Sequence, residues 1–132
     1  MVAGRMGRLL DAFISVFIFE KVFQHFLTAL FYLVDIPGIG KPDSGDFLHL
    51  SFQVLALLNL IMFAGFLLGM VWKFNGVAMF SRLVGVLAVL DVVFEFIFHG
   101  FFFITVSVIV SLLLLILLSA ERRLTTKLAT YT

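Results

Sequence analysis

The sequence predicts an all-α integral membrane protein, an up-down-up-down bundle of four transmembrane helices with both termini cytoplasmic. Three observations carry that expectation. Hydrophobic residues make up 63% of the 132-residue chain and charged residues 13%, against roughly 45–50% and about 25% in soluble domains. The apolar residues fall in runs long enough to cross a bilayer, which takes about 20 residues of helix. The Lys and Arg outside those runs collect on one side, as they do at cytoplasmic faces. A soluble domain of this size has too much surface for its volume to hide 18 phenylalanines.

Residues 9–34 form the first expected span and residues 47–72 the second. A continuous apolar run from 77 to 120 is too long for one crossing. It divides at His99-Gly100, because glycine takes a positive φ just past a helix end without a Cβ clash. The third span is then 77–98 and the fourth 101–120. The first run is too long for a signal-peptide core, has no small-x-small cleavage site after it, and carries Glu20 and Lys21 in its middle. It is read as a retained span. Residues 35–46 hold both prolines and three of the ten glycines, the composition of a turn or short loop. Lys73-Phe-Asn-Gly76 is a shorter turn. Short links make neighbouring helices antiparallel. The whole chain, 1–132, reads as one domain.

With four spans, the N-terminus, the second link and the C-terminus share a side. They hold Arg5, Arg8, Lys73, Arg82, Arg122, Arg123 and Lys127, whereas the other side holds Lys41 beside Asp35, Asp43 and Asp46. This places both termini in the cytoplasm of a multi-pass cell-membrane protein. No basic stripe points to nucleic acid. The absence of cysteine excludes disulfides, thiolate metal sites and thiol redox chemistry. There is no nucleophile elbow, P-loop or dinucleotide fingerprint.

Function is sought in the ionisable residues within the spans, each costing roughly 2.5–3.5 kcal/mol on insertion. Asp91, Glu95 and His99 recur every four residues and so form one stripe on the third helix. Glu20, Lys21, Gln24, His25, Thr28 and Tyr32 occupy an arc of about 140° on the first. His49 and Gln53 lie at the outer end of the second, with Asn59 deeper and on another azimuth. Turning the stripes toward one another builds an outward-opening polar pocket, with Asp91 and Glu95 at its centre. Two ionised carboxylates one turn apart repel, so one keeps a proton or a cation sits between them. Lys21 can supply that charge, pairing with Glu20 along the helix or with Asp91 across helices. The fourth span offers only hydroxyls, which can bond the preceding backbone, and reads as scaffold.

The leading functional expectation is a proton or cation site formed by Asp91, Glu95, His99, Glu20, Lys21, Gln24 and His25. It would serve transport or a small subunit of a membrane complex. Four helices are too few to enclose an alternating path, so a homo-oligomer or a larger assembly in the lipid bilayer is expected. The alternative is a metal-dependent membrane enzyme using Glu95, His99, His25, Glu20 and His49. That carboxylate–imidazole mix suits Zn, Fe or Mn. Haem is disfavoured, because His25 and His99 differ in depth. Lys21 with Asp91 or Glu95 would equally serve as interhelical glue, and His49 and His99 as interfacial polar residues.

Overall fold

The computed structural model describes residues 2–33, 52–99 and 106–130, with side chains over 4–33, 53–97 and 106–124. His49, the loop 35–46, Gly100 and the side chains of His99 and Lys127 lie outside the described residues. Within them the chain is all-helical: α1 is Val2–Leu33, α2 Phe52–Phe74, α3 Phe80–His99 and α4 Val106–Thr130. α1 and α2 are each long and apolar enough to cross a membrane.

Two boundaries differ from the sequence expectation. α1 begins near Val2 rather than at residue 9, and α4 continues past Ala120 to Thr130. Hydropathy marks where a chain is apolar, not where it is helical. Glu121, Arg122, Arg123 and Leu124 are all good helix formers and carry α4 onward. The break between α3 and α4 falls where it was expected, after His99. α2 ends in a Schellman motif: Gly76 takes φ 72°, its N–H donates to the Lys73 carbonyl, and the Val77 N–H donates to the Trp72 carbonyl. Asn75 adds a side-chain bond to the Val71 carbonyl at 2.7 Å.

The helices touch in a ring, α1 on α2, α2 on α3, α3 on α4 and α4 on α1. Each presents one stripe to the inside. On α1 it is Ile14, Ile18, Lys21, Val22, His25, Ala29 and Tyr32, the three-and-four spacing of one helix face. The distribution is inverted relative to a soluble domain. Phe13, Phe19, Phe23, Leu57, Ile61, Val86, Leu90 and Ile116 are exposed, while Lys21, His25, Asn59, Asp91 and Glu95 are buried. The polar layer has apolar packing on either side. One cluster gathers Ile14, Ile18, Phe66, Val84 and Leu114, and a smaller one joins Tyr32 to Leu55 and Ala56.

The Gly65-x-x-x-Gly69 pattern of α2 faces α3. A Cβ at Gly69 would stand 2.6 Å from Val84 Cγ2, and one at Gly65 would stand 2.9 Å from Leu87 Cδ1. The missing side chains let the two backbones approach. At the end of the bundle where α1 begins, Lys73 Nζ pairs with Asp11 Oδ1 at 2.5 Å. Glu121 shares their field. Partial burial raises its carboxyl above the ordinary value; Asp11 raises it further, and Lys73 opposes the rise.

Two expectations follow from this packing. Gly69→Ala should lower thermal stability by about 1–3 kcal/mol, because buried Val84 is β-branched and cannot swing aside. Gly85→Ala, whose Cβ would meet nothing within 4 Å, should gain up to about 1 kcal/mol in helix propensity. Equal melting shifts for the two would contradict the close-approach account. Glu121 bears on pH. A carboxyl raised on folding stabilises fully below its unfolded value of 4.5, and that contribution is lost as pH rises through the folded value. Glu121→Gln should therefore shrink the fall in melting temperature between about pH 4 and about pH 7.

Candidate functional site

The polar stripes of α1 and α3 meet at the middle of the bundle. Lys21 projects from α1 to Asp91 on α3, with Nζ 2.5 Å from Oδ2. Both side chains are 0% exposed. Two ions taken out of water are stable only when the rest of their hydrogen-bonding capacity is met. Here α4 meets it. Lys21 Nζ also donates to the Ser107 carbonyl at 2.7 Å, to Ser107 Oγ at 2.9 Å and to Gln24 Oε1 at 3.3 Å. Asp91 Oδ2 accepts a second bond from Ser111 Oγ at 2.9 Å. Gln24 Nε2 donates to Ser107 Oγ at 2.8 Å, which fixes the amide between the ammonium and the serine.

The second oxygen of Asp91 faces His25. His25 lies one helical turn beyond Lys21, so a single carboxylate spans both. Nε2 is 3.0 Å from Oδ1, close enough for an ion pair but out of line for a straight hydrogen bond, and neither atom has another hydrogen-bond partner. The other ring nitrogen, Nδ1, is 2.8 Å from Asn59 Oδ1. The orientation of that amide is set, because Asn59 Nδ2 donates to the Leu55 carbonyl at 2.9 Å. Oδ1 can only accept, so Nδ1 carries the hydrogen. In a neutral imidazole Nε2 is then a lone pair, and it would face a carboxylate oxygen with nothing between them. A proton on one of the two removes that opposition. The ring lies flat on Phe66, centroids 5.7 Å apart and planes 10° from parallel, which holds its tilt.

The other expected site residues are placed less centrally. Glu20 is partly buried and within electrostatic reach of Lys21, Asp91 and His25; its Oε2 is enclosed without a hydrogen bond. Glu95 is buried one turn along α3 from Asp91. No group of three or more His, Asp or Glu side chains gathers at metal-binding spacing among the described residues.

Three features depart from the sequence reading. The centre is enclosed, because Lys21, Asp91 and His25 are shut off from solvent rather than lining an open pocket. α2 turns Asn59 inward and leaves Gln53 exposed, the reverse of the expected face. α4 is not a plain wall: Ser107 and Ser111 solvate the ion pair. Their spacing of four, the same as in the acidic stripe of α3, was the available signal. Comparison with protein-family models, with curated proteins and with solved structures finds no match to this chain.

The two ends of the ion pair should respond unequally to mutation. Asp91→Asn leaves the Lys21 ammonium with neutral acceptors only and should cost about 3–5 kcal/mol. Lys21→Met should cost less, because His25 can carry the charge that balances Asp91. Combining the two substitutions should recover much of the Asp91→Asn loss. Equal single losses, or simple additivity in melting temperature, would show that His25 does not act as the reserve cation.

Proposed function

We propose that this is a four-span protein of the cell membrane whose Lys21–Asp91–His25 centre takes up and releases a proton, in transport or as a small subunit of a membrane complex. The inverted distribution of residues supports the membrane setting, since hydrocarbon is the solvent that favours Phe outside and charge inside. α3 and α4 carry the same apolar outer surface as α1 and α2. The pairings of Asp11 with Lys73, His25 with Asn59, and Gly69 with Val84 support antiparallel neighbours and hence an up-down-up-down order. Termini in the cytoplasm follow from the excess of Lys and Arg at that end.

The observation that carries the proton reading is the 3.0 Å approach of His25 Nε2 to Asp91 Oδ1, with Nδ1 already committed to Asn59. One added proton joins them. Histidine is the side chain whose charge ordinarily changes near neutral pH. Gaining or losing that proton changes the net charge of an enclosed site by one, and low dielectric makes such a change felt by every neighbouring dipole. The three helices holding the centre are then the elements that shift. Four helices alone do not enclose an alternating path, so transport requires a second copy or a partner chain.

The test is the titration of His25 in protein labelled with 15N-histidine and reconstituted in nanodiscs, its signals assigned with His25→Gln. Nδ1 should remain protonated, while Nε2 should exchange between protonated and bare across about pH 5 to about pH 8. Asp91→Asn should shift that transition downward, because the balancing carboxylate is gone. A His25 ring whose two nitrogens keep one state over the whole range overturns the proposal.

A further inference from the structure

We propose that the cleft between α3 and α4 is a binding site for one anionic phospholipid of the cytoplasmic leaflet. This rests on the four-span reading but not on the proton centre. The cleft is about 510 Å3 and is sorted along its length. At one end stand Ser81 and Arg82 from α3 with Ser119 and Arg122 from α4. Toward the bundle middle the walls are aliphatic, ending at Leu90 on α3 and Leu115 on α4. No described acidic residue lines it. From Arg82 to Leu90 the trough runs about 12 Å along the helix.

Size, shape and charge select the occupant. A volume of about 510 Å3 over that length leaves a channel narrower than a helix, which is about 10–12 Å across with its side chains. An acyl chain fits the trough, whereas the helix of a second copy does not. Gly85 keeps it open, since a Cβ there would meet nothing within 4 Å. A second trough of about 340 Å3 lies on the adjacent face of α4, shares Leu115 and Ser119 with the first, and carries Arg123. Two parallel troughs flanking one ridge, with guanidinium groups at the same end, suit a two-chain lipid beneath a phosphate. Arginine is the side chain that matches phosphate with a planar fork. The arginines stand at the end carrying the excess positive charge, where the anionic leaflet would be.

The test is native mass spectrometry of the detergent-purified chain with added phosphatidylglycerol or phosphatidylcholine. One phosphatidylglycerol should be retained in preference to phosphatidylcholine by about thirtyfold, given roughly 1 kcal/mol for each of two arginines. Arg82→Gln or Arg122→Gln alone should each reduce the preference about fivefold, and Arg5→Gln should leave it unchanged. Gly85→Leu should displace the lipid while the charges stay in place, with helicity by circular dichroism unaltered. Equal retention of both lipids, or retention unchanged in Gly85→Leu, overturns the site. So does a dimer peak that Gly85→Leu removes, which would mean a second copy fills the cleft. Failure of the four-span reading shows separately, as release of the chain from membranes by alkaline carbonate.

Discussion

The structure depends on an ammonium group that has nowhere else to go. Lys21 sits at the middle of α1 with no route for its charge to reach the surface, and its side chain is wholly enclosed. A lone ion in such a place is prohibitively costly. The rest of the centre answers that cost. Asp91 supplies the opposite charge, Ser107 and Gln24 take up the remaining N–H groups, and Ser111 steadies the carboxylate. Because these partners come from α1, α3 and α4, satisfying one lysine fixes the relative depth and rotation of three helices. Asn59 and Phe66 bring in α2 through His25.

Apolar packing does a different job. In a lipid solvent, burying leucine gains little, because the tails outside are as apolar as the core. Close fit and polar contacts must then specify the arrangement. The seam of Gly65 and Gly69 against Leu87 and Val84 provides the first, and the Lys21 centre provides the second. The apolar clusters above and below the centre keep water away from it, and this makes its charges strong enough to act as a register.

Much of this was legible in the chain. Four helices, the break at His99 and the stripe from Val84 through Asp91 to Glu95 all follow from run length and fourfold spacing. The pairing of Lys21 with Asp91 was among the arrangements the stripes allowed. What could not be read was rotation. The face α2 turns inward depends on its neighbours, so Gln53 and Asn59 could not be ranked from their own helix. Ser107 and Ser111 were discounted because a hydroxyl in a helix can bond its own backbone. Nothing local says that a carboxylate one helix away will claim it. The extension of α4 was hidden for the opposite reason, since Glu121 to Leu124 are polar enough to resemble a tail but helical by propensity.

The way Lys21 fills its place bears on ion selectivity. A sodium or zinc ion approaching Asp91 would need several oxygen or nitrogen ligands at short range. Around Oδ2 those positions are already taken by the lysine ammonium and the hydroxyl of Ser111. The protein carries its counter-ion on a covalent tether, and a diffusible metal would have to evict it. A proton needs no coordination shell and can enter the gap beside Oδ1 without moving a heavy atom. The centre thus excludes larger cations by prior occupancy rather than by the width of a pore.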